Sequence, residues 1–573
     1  MGWNSWDCFA TTVTEKQVRA HADYMAAHLA KFGWQYVVVD IQWYEPGAAG
    51  FAYREGAPLT LDEWGRLLPA PNRFPSSAGG AGFGPLAAYV HARGLKFGVH
   101  LMRGIPRLAV AKNLPIRGTR QTAAEIADRK RVCAWNPDMF GVDMSRPGAQ
   151  EYYDSVFEQF ASWGVDYVKL DDMSRPYHDN EKEIEAVRRA IDATGREIVL
   201  SFSPGETALS GAEHVKQHAN LWRISDDFWD NWHALYEQFA RLERWAPHQG
   251  LGHWPDADML PFGVLDCGKR SSRFTPDEQR TVMTLWSIAR SPLMHGGDLT
   301  KTDAQTLTLL SNREVLAVNQ HSHDNRQLFS RDDLIAWTAA VPDSEDRYLA
   351  LFNANSRLAL SPERAVFRGE VTSQGGATRA SSLAIDVAVE GASRVFLVAD
   401  DGASNKDHWF AAWGEPRWVR EDGSELALAA QSCLEATAWW GDTPRGQSPK
   451  GTALSVAGRR LLGGFGAPTK SVIGFELPAG CQRFRATVGF DDSALPAGGG
   501  TLRFMVFAVM PGDERSEPGL PVRVSKEALG FAEYRAMRVR DLWEHRDLGS
   551  FEREFAPVIP WHGSGMYRLT PLR

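Results

Sequence analysis

Five short apolar runs in the first half of the chain end in residues that could do chemistry together. "YVVVD" (36–40) delivers Asp40, and "LKFGVHL" (95–101) carries His100 and is followed by Arg103. "DYVKLDD" (166–172) holds Lys169, Asp171 and Asp172; "EIVLSFS" (197–203) ends in Ser203; "NLWRISDD" (220–227) holds Arg223, Asp226 and Asp227. Carboxylates at several strand ends, with no cluster of metal ligands, suggest cleavage of a glycosidic bond. That reaction asks for two acids, one as nucleophile or base and one to protonate the leaving oxygen. The alternative for any single Asp is an ion pair with a neighbouring Lys or Arg.

These runs need elements to position them. Between them lie amphipathic helical stretches at 15–32, 84–94, 148–164 and 181–195, with another at 277–292 that ends at a proline. Strand and helix alternating in this way predict a parallel sheet. Roughly 300 residues of the pattern suit a closed (β/α)8 barrel, whose active-site groups stand at the C-terminal strand ends. That is where the polar residues fall. Past about residue 320, "LIAWTAAV", "RYLALFNA" and "SRVFLVAD" are strands without intervening helices, which predicts an antiparallel β-sandwich. "DDGASNKDH" (400–408) reads as a linker, and the remainder as a further β domain. The expected division is a catalytic barrel over 1–320, a sandwich over 321–402 and a C-terminal β module over 403–573.

Composition sets outer bounds. The chain has 573 residues, 43% apolar and 23% charged, and no apolar run of membrane-spanning length. A net charge of -8 without a basic stripe argues against a nucleic-acid partner. Five scattered cysteines give neither a disulfide framework nor a zinc site, and no cofactor is expected. Tryptophan is abundant at 21 residues, which suits either a sugar cleft or large cores.

Several motifs, in order, carry a more specific reading: "MGWNSWDCF" at the start, "DEWGRLLPAPNRFP" (62–75), "YVKLDD" (167–172), "WRISDD" (222–227), "GHWPDADML" (252–260), "LWSIARSPLMHGGDL" (285–299) and "LLSNREVLAVNQ" (309–320). Together they resemble glycoside hydrolase family 27, the α-galactosidase group, over residues 1 to about 400. The resemblance implies a (β/α)8 barrel followed by an antiparallel β-sandwich, and retaining hydrolysis of terminal α-galactosides and related sugars. It implies Asp171 as nucleophile in its Tyr-x-Lys-x-Asp pattern, and Asp227 as acid/base, four residues after Arg223, which would hold the sugar's 2-position. Lys169 lies two residues before Asp171 and so shares its side of the strand, where a cation keeps the acid ionised. Asp226 is the rival acid, and its charge would raise the pKa of Asp227. Trp3 is expected as an aromatic wall, Asp40 as a ligand of the ring hydroxyls, His100 at the rim and Asp256 in the pocket. Retention requires the two carboxyl groups to lie roughly 5–5.5 Å apart.

Two departures from the family concern the substrate. Most α-galactosidases of the group have two consecutive acids at the end of the second strand, for O4 and O6. Here Asp40 is followed by Ile41, which cannot bond the O6 hydroxyl. β-L-Arabinopyranose is α-D-galactopyranose without its hydroxymethyl, so Ile41 fits a pocket for that sugar; alternatively Gln42 or Trp43 takes over the O6 contact. Ser203 stands where the α-galactosidases tend to carry Glu, which resembles the α-N-acetylgalactosaminidases. The expected activity is thus α-galactosidase-type hydrolysis, with β-L-arabinopyranosidase and α-N-acetylgalactosaminidase as alternatives. A non-catalytic sugar-binding barrel is the reading from another class, which the presence of both Asp171 and Asp227 disfavours.

Residues 459–494 resemble the NPCBM module, although "GGFGAPTKS" replaces its usual Gly-Thr-His-Ala segment. In the family the Met-Gly-Trp motif is internal and follows a leader, so a secreted or periplasmic location is the expectation. The carbohydrate substrate is the expected partner, and the sequence leaves the oligomeric state open.

Overall fold

In the computed structural model, which describes residues 1–358, 360–374, 381–402, 409–438, 443–495 and 499–573, eight parallel strands form the N-terminal half. They are β1 (Gly2–Asn4), β2 (Tyr36–Val39), β3 (Lys96–Met102), β4 (Tyr167–Asp171), β5 (Val199–Ser203), β6 (Leu221–Arg223), β7 (Trp254–Asp256) and β8 (Met294–His295). Each pairs with its neighbour in chain order, and β8 returns to β1. A parallel bridge between Leu260, just past β7, and His295 closes the ring.

The side-chain period of two assigns each strand residue to the interior or to the helices. Val38, Tyr167, Leu221, Met259 and Met294 form an apolar layer inside the ring, with Tyr36 and Val199 packed against it. Gly98 sits in register between Val38 and Tyr167. A Cβ on Gly98 would come within 2.9 Å of Val38 Cγ2 and 3.1 Å of Tyr167 Cβ, so the missing side chain makes room for the tyrosine ring. Two residues further along, His100 stands beside Lys169, and then Asp171 beside Ser203. On the far side Arg223 is paired with Asp256. The same alternation that fills the lower barrel with apolar side chains therefore lifts the charged ones to its C-terminal mouth.

Local signals start and stop the surrounding helices. Glu15–His28 and Pro276–Ala289 each begin with a capping box, Thr14 with Gln17 and Thr275 with Glu278. Ala149–Trp163 ends on Gly164 in the left-handed region (φ 81°). The long stretch after β3 builds a small antiparallel sheet from Ile105–Pro106, Ala127–Val132 and Met139–Val142.

The C-terminal half divides differently from the sequence expectation. The chain forms two compact units, residues 1–354 together with 520–573, and residues 355–519. Strands His323–Arg331, Leu334–Ala340 and Arg347–Asn353 are completed by Ser564–Leu572, Ala536–Asp541 and Arg546–Phe551 in one six-stranded antiparallel sheet. The boundaries 321–402 and 403–573 are therefore corrected. Pairs such as Leu349 with Tyr567 join residues more than 200 apart in sequence, which local alternation cannot announce. The C-terminal segment also bonds to the helix Pro276–Ala289. Thr281 Oγ1 donates to the His562 carbonyl (2.8 Å), and Trp543 Nε1 donates to Thr284 Oγ1 (3.0 Å).

The unit 355–519 is itself all β, with two five-stranded antiparallel sheets. Trp413, Trp418, Phe475, Phe484 and Phe504 lie in its core. Of the expected linker, residues 403–408 lie outside the described residues. Among the described residues no helix is long and apolar enough to cross a membrane.

Candidate active site

Asp40 follows β2 directly and is almost fully buried. Its carboxylate accepts hydrogen bonds from Asn4 Nδ2 (2.7 Å), Lys169 Nζ (2.9 Å) and the Ile41 amide (2.8 Å). Burial alone would push its pKa up; the Lys169 and His100 charges and these hydrogen bonds outweigh it and hold the carboxyl below its ordinary range. The same balance runs in reverse for Lys169. Burial would lower its pKa, but Asp40, Asp171, Asp227 and Asp258 together hold the ammonium charged.

Asp171, the last residue of β4, is gripped at both oxygens. Oδ2 lies 2.9 Å from His100 Nε2, and Oδ1 accepts the Asp172 amide at 3.0 Å. His100 is fully buried, and its Nδ1 has no partner. Nε2 therefore carries the proton that is donated to Asp171. Asp172 is taken up elsewhere, paired with Arg103 (2.7 Å), which also binds Glu183 (3.0 Å).

At the end of β6 the buried Arg223 guanidinium forks between Asp258 (2.9 Å) and Asp227 (3.3 Å). Protein on the barrel side desolvates Asp227 and raises its pKa; Arg223 opposes, Asp258 and Asp171 add to the rise, and the carboxyl is pushed up to about 6. Yet 45% of this side chain faces open solvent. Water thus moderates the rise until a ligand fills the space. The main raising charge comes from Asp258 rather than from the expected Asp226. Asp226 turns outward to an exposed ion pair with Arg175 (3.0 Å). Asp256, paired with Arg223 across β6 and β7, accepts the Asp258 amide (2.9 Å), and burial beside Asp258 pushes its pKa up to about 6.

The structure thus gathers Asp40, His100, Lys169, Asp171, Arg223, Asp227 and Asp256 at one end of the barrel. Ser203 joins them beside Asp171, buried, with its hydroxyl unpartnered. Two expected sugar contacts prove to be core residues. Trp3 is completely buried, stacked on His21 with ring centroids 4.1 Å apart, and donates Nε1 to the Gly297 carbonyl. Trp43 is also completely buried, between Phe83 and Trp163, and its Nε1 is held by the His100 carbonyl (2.8 Å). Gln42 donates to Asp138 at 2.6 Å. Ile41 is buried beside Asp40.

Sequence reasoning passed over Asp258, Tyr53 and Asp7. Asp258 was legible as the second acid of "PDAD", at the same-face spacing from Asp256. Tyr53 sits in the long loop after β2, and the charges of Asp171, Asp40 and Asp227, together with burial, raise its phenol pKa. Asp7, buried next to Asp258, likewise has a raised pKa, mainly from desolvation. No local pattern marks these two.

Comparison with known proteins bears on this arrangement. An α-galactosidase from Cyamopsis tetragonoloba is 30% identical over 365 residues, covering 63% of this chain and 74% of that protein. A crystal structure of a GH27 β-L-arabinopyranosidase from Geobacillus stearothermophilus, in complex with arabinose, is 36% identical, covers 100% of this chain and 97% of that one, and superposes with a TM-score of 0.69. The chain belongs to glycoside hydrolase family 27. It is therefore an enzyme that hydrolyses glycosidic bonds, and the mouth of the family 27 barrel described above is its candidate active site. An α-N-acetylgalactosaminidase from Gallus gallus is 27% identical over 340 residues, 56% of this chain and 69% of that one. The family model described as alpha galactosidase A matches residues 117–321, and the NPCBM/NEW2 domain model matches residues 424–515, inside the second unit.

Proposed function

We propose that this enzyme removes terminal galactose-configured pyranosides with retention, and that its preferred glycone is β-L-arabinopyranose. Asp171 attacks the anomeric carbon while Asp227 protonates the leaving oxygen, so one C–O bond breaks as a glycosyl–Asp171 ester forms. Asp227, now ionised, takes a proton from water, which opens the ester and restores both acids. The geometry supports this division. Asp171 has its oxygens fixed by His100 and the Asp172 amide and lies close enough to Lys169 for its charge to act on that ammonium. Asp227 carries the raised pKa that a proton donor needs near neutral pH. Asp40 and Lys169 would hold ring hydroxyls through charge-assisted bonds, and Arg223 and the free Ser203 hydroxyl would face the 2-position.

The glycone preference rests on one observation. Beside Asp40 the place of the O6-binding acid is taken by Ile41, and the two polar neighbours that could replace it are engaged, Gln42 with Asp138 and Trp43 with the His100 carbonyl. A galactoside would then bury its O6 hydroxyl unpaired, at a cost of about 1–3 kcal/mol or roughly 5- to 150-fold in discrimination. An arabinopyranoside has no such group. The full-length likeness to a β-L-arabinopyranosidase agrees with this choice.

The reaction is tested by Asp171→Asn. This variant is expected to lose activity by about a thousandfold or more while folding normally, because the amide cannot serve as nucleophile. Proton NMR of the first-formed sugar should show the anomer of the substrate. Full activity in Asp171→Asn, or an inverted product, would refute the mechanism.

A further inference from the structure

Outside the carboxylate cluster, five aromatic rings from four different loops form a continuous chain at the same end of the barrel. Trp135, in the insertion after β3, packs on Tyr53 (centroids 5.6 Å apart); Tyr53 is parallel to Trp6 at 6.5 Å; Trp6 meets Phe51 edge-on at 5.4 Å; and Phe51 meets Trp229 edge-on at 6.0 Å. Trp6 and Tyr53 back onto the barrel core, but all five rings reach the surface. Phe51 and Trp135 are 38% and 39% exposed and the other three are half-buried, whereas Trp3, Trp34, Trp43, Trp222 and Trp286 are fully covered. The chain is tied to the reacting groups at two points. Trp229 stands two residues beyond Asp227, and Tyr53 lies close enough to Asp40, Asp171 and Asp227 for all three to act on its phenol.

The geometry points to this aromatic chain as the site that holds the leaving group, and to a second sugar ring as its occupant. This assignment rests on the proton-donor role read for Asp227, which fixes the direction in which the leaving group departs. The donor must stand next to the glycosidic oxygen, so whatever is attached to that oxygen leaves past the loop that carries Asp227 and Trp229. A pyranose presents a flat apolar C–H face that covers an aromatic ring, with hydroxyls at its edge. The borders of the rings match that division. The Arg270 guanidinium lies 6.0 Å from the Trp229 ring centre and is paired with Asp230 (2.6 Å), and the exposed Arg175–Asp226 pair adjoins Asp227. A wholly apolar leaving group would have to desolvate these charges, whereas sugar hydroxyls can bond to them.

The test compares leaving groups on one glycone. For wild type, Phe51→Ala, Trp135→Ala and Trp135→Tyr, kcat/KM is measured on a disaccharide, an aryl glycoside and the glycosyl fluoride of the best-cleaved glycone. Both alanine variants should lower the ratio of disaccharide to fluoride about 3- to 10-fold, through KM, the loss expected for one stacked aromatic; Trp135→Tyr should recover most of it. Unchanged ratios would overturn the assignment, and a fall confined to the aryl glycoside would overturn the sugar as occupant. Both positions are exposed, and unchanged melting temperatures verify that the variants fold. Because each ratio is taken within one glycone, a wrong reading of glycone preference changes which sugar is used and leaves this outcome interpretable.

Discussion

Around Asp227 two cations, Arg223 and Lys169, compete with two carboxylates, Asp258 and Asp171, and in the proposed mechanism their balance sets the pH range of the enzyme. Arg223 and Lys169 favour the ionised form; Asp258, Asp171 and burial favour the protonated one. In the proposed mechanism Asp227 must be protonated for the first step, so kcat/KM is expected to fall as pH rises through a value of about 6. Asp258→Asn removes a raising charge and also frees Arg223 to bind Asp227 more closely; both effects lower the pKa. The basic limb of the pH profile should therefore move to lower pH by on the order of one unit, with about a tenfold loss at neutral pH. A limb that stays in place or moves up would show that Asp258 does not tune Asp227. At this scale the sequence is most readable where residue type and spacing coincide. Asp171 and Asp227 are legible in that way, but the orientation of Asp226 towards Arg175 is not, because it depends on a partner 51 residues away.

The barrel strands explain why the readable residues converge. Tyr36 to Asp40 and Tyr167 to Asp171 are runs whose inward positions change from apolar to charged towards the strand end, a pattern carried by the residue order alone. The strands β1, β7 and β8, of three, three and two residues, are too short to carry a pattern. They exist because closure of the ring requires them. Gly98 shows the packing consequence. Gly98→Ala forces a methyl group between Val38 and Tyr167, where 2.9 Å and 3.1 Å are already too close. A destabilisation of about 1–3 kcal/mol is expected, seen as a lower melting temperature. An unchanged melting temperature would mean that the interior layer relaxes more freely than its packing implies. Trp3 and Trp43 belong to this scale as well. Each has the composition of a sugar platform, and burial alone separates them from Trp6 and Trp135, which is information that a sequence motif does not contain.

Across the whole molecule, the segment 355–519 interrupts a unit that begins at residue 1 and ends at residue 573. The strand signals after residue 320 are individually legible, but their partners are not, since Arg347 to Phe352 pair with Ser564 to Leu569. Truncation after residue 519 should consequently do more than remove a tail. It strips three of six strands, uncovers Ala336, Leu349 and Leu351, and breaks the Trp543–Thr284 and His562–Thr281 bonds to the barrel's outer helix. Such a protein should be insoluble or melt far below the full chain, as judged by circular dichroism. A well-folded, fully active 1–519 fragment would contradict the continuous unit.

Glycone choice is the central claim, and p-nitrophenyl glycosides measure it directly. Wild type should cleave the β-L-arabinopyranoside with a kcat/KM about 5- to 150-fold above that of the α-D-galactopyranoside, and Ile41→Asp should narrow or reverse that ratio by restoring an O6 acceptor beside Asp40. A wild type that favours the galactoside or the α-N-acetylgalactosaminide, or an Ile41→Asp variant whose ratio is unchanged, would contradict it.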